Sequence, residues 1–232
     1  MFGRKLRFTS SLYASEYEYY SDYYDVSQAG LRLGLERTLL GLDYLRGRVN
    51  YTIESTGIYN VTDSASTEMK GDSGRDMISK FGLTLSYDTR GGGYLPTKGQ
   101  RTEFTVEGAN EAIGSDKDFY KLQLTSAQYY KGFKEDHVIE AIVRTGVVDN
   151  YGDTTEVPFI ERYSLGGTST LRGFEFREVG PRDANNQVIG GKTMAVGTLE
   201  YSVPVPLGDW VRFATFYDIG FVSRSAYDFS FD

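Results

Sequence analysis

Few residues in this chain could carry out covalent or metal chemistry. Cysteine is absent from the 232 residues, which removes disulfide frameworks, thiolate metal sites and thiol nucleophiles together. His137 is the single histidine, so imidazole-rich metal centres and most catalytic triads are excluded as well. It stands beside Glu135 and Asp136 and reads as a solvated turn residue rather than a lone ligand. Gly91, Gly92 and Gly93 could cradle a phosphate, but no strand-to-helix transition and no Walker lysine accompany them, so a flexible turn is the better reading. The acids Asp63, Glu68, Asp72 and Asp76 lack the ordered oxygen spacing of a calcium loop and are expected on a solvated surface loop. Ser169 belongs to no nucleophile-elbow pattern. Arg162, Arg172, Arg177 and Arg182 crowd one long polar stretch, and by residue type alone each is a solvated loop arginine. Accordingly no catalytic residue, metal or cofactor is expected.

The composition limits what could position any site. Thirty-two acidic against 25 basic side chains give a net charge of -7, which argues against a nucleic-acid partner because phosphate binding needs a basic face. No uncharged run exceeds nine residues (122–130 and 163–171), too short for a transmembrane helix. The opening residues have no apolar core like that of a signal peptide. Taken alone, these features describe an acidic soluble protein. Nineteen tyrosines, and 27 glycines against 5 prolines, do not fit that description.

Hydrophobic periodicity resolves the conflict. Alternation at period 2 recurs from end to end while helical periods are almost missing. Phe81, Leu83, Leu85 and Tyr87, for example, alternate with Gly82, Thr84, Ser86 and Asp88. Comparable segments begin near Leu6, Leu31, Leu45, Phe104, Tyr120, Ile139, Ala195 and Phe213, giving nine strands, many of ten or more residues. Ordinary strands run to about five or six. The connections alternate in length. Residues 16–25, 60–76, 108–118 and 152–190 form long or medium polar stretches, whereas 38–43, 90–99, 131–136 and 204–209 are short. In an up-and-down sheet, alternate connections share an end, so one end carries long loops and the other tight turns. Transmembrane β-barrels have that layout. Tyr13, Tyr17, Tyr19, Tyr20, Tyr23 and Tyr24 crowd one strand end and are expected to anchor at the membrane interface. A soluble β-sandwich with one wet face would alternate similarly. Strand length, and charge confined to one face of each strand, favour the membrane barrel.

Two motifs sharpen the reading. Residues 87–100 read YDTRGGGYLPTKGQ, and residues 160–183 read IERYSLGGTSTLRGFEFREVGPRD. Together they resemble the BamA family of outer-membrane assembly barrels. Arg172, Gly173 and Phe174, with Gly166 and Gly167 leading in, resemble the motif at the tip of that family's long sixth loop, which folds back into the lumen. Asp88, Arg90, Pro96 and Gly99 carry the less specific turn resemblance. GGKTMAVGTLEYSVPVP from Gly190 and FATFYDIGFV from Phe213 resemble the two strands that follow the loop. The resemblance spans about residues 80–222.

What the resemblance implies is specific. The fold would be an all-β antiparallel transmembrane barrel, with residues 1–232 supplying about nine of sixteen strands, roughly the fifth to the thirteenth, and residues 152–190 forming the lumen-entering loop. Nine is an odd count, whereas single-chain bacterial barrels are even, so the chain reads as an interior piece. The gate between first and last strands, and the periplasmic polypeptide-binding modules that precede such barrels, would lie outside it. A guanidinium entering the lumen needs an acid, and the family pairs its loop arginine with acids on the next two strands, here Glu200 and Asp218. Gly173 would permit the tight turn and Phe174 would pack on the inner wall. The implied function is non-enzymatic: folding and inserting β-barrel proteins into the outer membrane of a Gram-negative-type bacterium. Its implied partners are unfolded outer-membrane proteins, accessory assembly lipoproteins and outer-membrane lipids. A polypeptide-transporting barrel of the two-partner-secretion type also carries such a loop and remains the alternative.

Overall fold

The computed structural model describes residues 6–21, 23–91, 96–134, 136–205 and 211–230, with backbone alone at 18–21. Nine strands follow one another along the chain. They are β1 (Leu6–Ser21), β2 (Tyr24–Leu39), β3 (Leu42–Tyr59), β4 (Gly74–Asp88), β5 (Gly99–Ala109), β6 (Phe119–Lys131), β7 (Val138–Asn150), β8 (Thr193–Pro204) and β9 (Arg212–Ser223). Each pairs antiparallel with the next, giving one nine-stranded sheet in sequence order. Among the described residues β1 and β9 do not pair with each other. Strand lengths of 11 to 18 residues suit tilted membrane spans.

Register fixes two faces of opposite character. Val49, Leu83, Val106 and Leu122 share a row, as do Leu85, Phe104 and Leu124. Leu12, Leu35, Val49, Leu83, Phe104, Val143, Leu199 and Ile219 are all large, apolar and exposed on this face. An apolar patch running across a whole sheet is far larger than a soluble monomer shows; its solvent is lipid. On the other face Arg48 pairs with Thr84, Thr52 with Lys80, and Glu107 with Lys121. Tyr87, Tyr130 and Tyr201 lie toward the tight-turn end of the apolar face, with Tyr44 edge-on to Tyr87, as an interfacial aromatic row should.

The sheet is one layer thick, and the second layer is its own loops. Tyr24, Val26, Ile58, Ala65, Met69, Phe159 and Ile189 form one buried cluster where loops meet the polar face. A second gathers Ile78, Ala109, Phe119, Val148, Val157 and Tyr163, and a third Leu165, Leu171 and Val196.

Residues 16–25 are not a long loop, because β1 continues to Ser21 and β2 resumes at Tyr24, with a register shift between Tyr17 and Ser21. Tyr13 is not an interface anchor. Its register opposite Gly30 turns it to the polar face, where its hydroxyl donates to Glu54 at 2.6 Å. Tyr24 is buried edge-on against Phe159 rather than lying in the interface. The side chains of Tyr19 and Tyr20 lie outside the described residues. So do Gly92, Gly93, Glu135 and most of the turn expected at 204–209. The stretch at 60–76 is exposed over most of its length, Asp63 included, as expected, but it also holds a short helix, α1 (Thr67–Gly71), capped by the Ser66 hydroxyl and burying Met69. His137, expected to be solvated, instead places Nδ1 within 2.5 Å of the Tyr201 hydroxyl.

Placing a charge on the apolar face should therefore be costly. Leu83→Arg, in the middle of the band, is expected to lower stability in lipid vesicles by about 2–3 kcal/mol. Urea titration of the folded, heat-shiftable gel band measures it.

Candidate functional site

The connection between β7 and β8 is the longest in the chain, and backbone hydrogen bonds order it over the polar face. Tyr163 and Gly191 exchange N–H···O bonds of 2.8 Å, and Leu165 and Val179 bonds of 2.8 and 2.9 Å. These pairings draw the loop into a narrow double-stranded path with a tip between Gly166 and Glu178. Glycine is favoured at three points of that tip. Gly166 has φ 119°, and a Cβ there would collide with the Glu175 carbonyl. Gly173 has φ 96°, beyond what a side chain tolerates. Gly167, at φ 87°, donates its N–H to the Phe174 carbonyl at 2.9 Å and closes the turn.

That turn delivers Arg172 to the wall. Nε and Nη2 donate to the two carboxylate oxygens of Asp218 at 2.8 and 2.9 Å, a fork-on-carboxylate pair. Nη1 donates to Glu200 at 2.7 Å, and the Arg172 backbone N–H adds a 3.1 Å bond to Asp218. Beneath the guanidinium lies the Phe216 ring, 3.4 Å from Cζ to centroid. Glu200 on β8 lies opposite Phe216 on β9, and Thr198 opposite Asp218, so one patch of polar wall presents both acids and the ring. The Asp218 side chain is only 4% exposed, so the guanidinium replaces nearly all of its water. Phe174, expected against the inner wall, is instead 51% exposed, because the turn at Gly173 commits its carbonyl to Gly167; Phe216 supplies the aromatic surface.

A second set of contacts holds the loop nearer its start and was missed from sequence. Glu161 ends the 3-10 turn Phe159–Glu161 and accepts from Lys80 on β4 at 2.6 Å and from Lys121 on β6 at 3.1 Å. Lys121 also donates to the Glu161 carbonyl at 3.1 Å and sits 4.9 Å from the centre of the Tyr163 ring. Lys80 reaches a second acid, Glu54 on β3, at 2.9 Å. Gly146 leaves room for Tyr163, whose hydroxyl would lie 2.5 Å from a Cβ at that position. The signal in the sequence was the two lysines themselves, on the charged face of strands whose other face is lipid-like, where an ammonium needs a partner. Arg162 turns back within the loop to the Val157 carbonyl and Glu156. Asp72, from the α1 loop, accepts the Phe159 N–H at 2.5 Å.

The other expected motif closes the β4–β5 turn. Arg90 clasps Asp88 through Nε at 2.9 Å and Nη2 at 2.8 Å. Gly99 has φ 96°, and a Cβ there would meet the Thr89 carbonyl at 2.5 Å. Pro96 lies between them in the sequence and is partly buried. This motif and the loop tip are separate: Arg90 clasps Asp88 on β4, whereas Arg172 binds Glu200 and Asp218 on β8 and β9.

A single antiparallel sheet with an apolar outer face, a charged inner face and a long loop folded onto that inner face is the wall of a transmembrane β-barrel. Residues 1–232 match the Omp85 superfamily domain along their whole length, and the chain belongs to that family. It is 30% identical over 183 residues to the outer membrane protein assembly factor BamA of Nitratidesulfovibrio vulgaris, covering 78% of this chain and 23% of that protein. It is 25% identical over 163 residues to the human sorting and assembly machinery component 50 homolog, covering 68% of this chain and 34% of that protein. The fold matches a crystal structure of Haemophilus ducreyi BamA lacking POTRA domains 1-3 with a TM-score of 0.75 at 20% identity. That match covers 94% of this chain and 46% of the other. The chain thus spans about a quarter of the BamA relative's length.

The Glu161 contacts carry a pH signature. Burial pushes its carboxyl up, but the Lys121 and Lys80 ammoniums outweigh that and bring it down to about 2. A group depressed in the folded state adds stability above its unfolded value, about 4.3, and loses it as pH falls toward 2. Protease resistance of residues 159–165 should therefore fall between about pH 4.5 and 2. Glu161→Gln should flatten that part of the profile.

Proposed function

We propose that this chain supplies the loop-bearing middle of the barrel of an outer-membrane insertase, which folds and inserts β-barrel proteins into the outer membrane of a Gram-negative-type bacterium. The observation that carries the reading is the pairing of Arg172 with Glu200 and Asp218, in a chain belonging to the Omp85 superfamily. Two of its relatives are named as an assembly factor and an assembly-machinery component, which supports assembly over secretion.

The activity read here is mechanical and needs no covalent step. The apolar band of Leu83, Phe104 and Leu199 meets outer-membrane lipid. The docked loop braces the wall from inside by tying β8 and β9 to one guanidinium. A braced wall holds its shape while unfolded outer-membrane proteins pair their strands and enter the bilayer. Accessory assembly lipoproteins are the expected partners outside the sheet. Arg172 acts as a positioning residue, and its energetic weight comes from what it leaves behind: removing it strands the desolvated Asp218 carboxylate, at about 3 kcal/mol.

Arg172→Glu, in the protein that carries this segment, is expected to slow insertion of a urea-unfolded β-barrel substrate into vesicles by at least about tenfold. It should also expose residues 166–178 to protease. Adding Asp218→Arg should recover part of both. Unchanged insertion together with unchanged loop protection would overturn the reading.

A further inference from the structure

The loop is held to the wall at two places that share no residue. At the tip, Arg172 reaches β8 and β9. At the root, Glu161 reaches β4 and β6. We propose that Glu161 is a positioning residue for the loop: by clamping the root to Lys80 and Lys121 it sets where along the wall the tip arrives, and so delivers Arg172 to Asp218 and Glu200. The proposal rests on the insertase reading for its biological purpose. Its structural content stands on the geometry of the two anchors.

Three observations point to a clamp rather than to incidental charge neutralisation. First, Glu161 is saturated by the wall. Each carboxylate oxygen takes a different lysine, and its carbonyl takes Lys121 again. Second, Lys121 had an acid closer to home. Glu107 lies directly opposite it on the same face of β5, yet the ammonium reaches across to the loop. A wall seeking only to neutralise its own charges would have used that neighbour. Third, the root is dry. The side chains of Lys80, Glu161 and Lys121 are 9%, 12% and 14% exposed, and Val157 and Phe159 nearby are fully buried. Tyr13 and Glu54 extend the network to β1 and β3, so the root spans the other side of the sheet from the tip.

The consequence is one of effective concentration. A tip tethered only by its ends samples many positions along the polar face, whereas a tip leaving a fixed root meets its acids at high local concentration. Loss of the root should therefore undock Arg172 even though every group of the tip site is intact.

The absence of cysteine from the chain gives a direct readout. Leu171, 4% exposed where the tip packs on Val196, becomes a reporter thiol as Leu171→Cys in a cysteine-free version of the protein that carries this segment, folded in vesicles. Its labelling by a membrane-impermeant maleimide is followed with time. Arg172→Glu should raise the labelling rate about tenfold, and Glu161→Lys should raise it by a similar factor. Combining the two should add little to Arg172→Glu alone, because both act through the same docking. Pairing Glu161→Lys with Lys121→Glu keeps two positive and two negative groups at the root and should return labelling to within about threefold of the parent. If Glu161→Lys yields no heat-shiftable band, this exchanged pair decides: recovery supports the clamp and failure to recover overturns it. Fast labelling in Arg172→Glu with parental labelling in Glu161→Lys overturns the clamp while leaving the insertase reading intact. Parental labelling in Arg172→Glu itself would sink both.

Discussion

A charge shut between a sheet and the loop that covers it must have a partner, and much of this structure answers that demand. Asp218, Lys80 and Glu54 are each less than a tenth exposed on a wall whose opposite face is built for lipid. Leaving any of them alone would cost several kcal/mol, because neither water nor the bilayer can replace the lost solvation. Their partners come largely from the β7–β8 loop, which is why that loop has a defined course. The glycines at 166 and 173 follow from the same demand: Arg172 reaches β9 only if the backbone takes positive φ at both, and at 166 a Cβ would also strike the Glu175 carbonyl.

The sheet is otherwise an incomplete structure in the sense that applies to soluble proteins. Domains bury an apolar face by packing two layers together. Here the apolar face looks outward, and the inward face is too polar to form a core by itself. The buried apolar side chains, Phe119, Val148, Val196 and Ile78 among them, lie on the charged face where loop residues Val157, Phe159 and Leu165 press against it. The loops are thus the second layer, concentrated at one end of the strands, while hydrogen-bonded ladders and lipid hold the rest.

The legibility of this fold in the sequence divides along the same line. Period 2 is an integer period, so Leu83 and Leu85 cannot share a face with Thr84 and Ser86, and the lipid and polar faces could be read strand by strand. At 16–25 that signal failed, because β1 and β2 run on past the apolar band and their pairing there needs no alternation. Within the loops nothing repeats. α1 is five residues long and buries Met69 with too few positions to show a helical period. Arg172 stood out only through the resemblance of its neighbours to a family motif; by residue type it matched Arg162, Arg177 and Arg182. Glu161 had no such signpost, and its lysines lie 81 and 40 positions away. Contacts at that separation are set by strand order and register, which exist only once the sheet is assembled.

Ion pairs are an uneconomical way to hold a loop if strength is all that is required. A buried pair roughly breaks even against well-packed apolar side chains of the same volume, and Leu165 and Leu171 already pack on Val196. Apolar contact is non-directional, however, and a greasy strip lying on a long wall can slide along it with little change in energy. A guanidinium fork on a carboxylate cannot, since both N–H···O bonds fail together when the arginine shifts. The charged contacts at Arg172 and Glu161 therefore contribute position more than stability. They fix the loop at one register along strands that would otherwise offer it many.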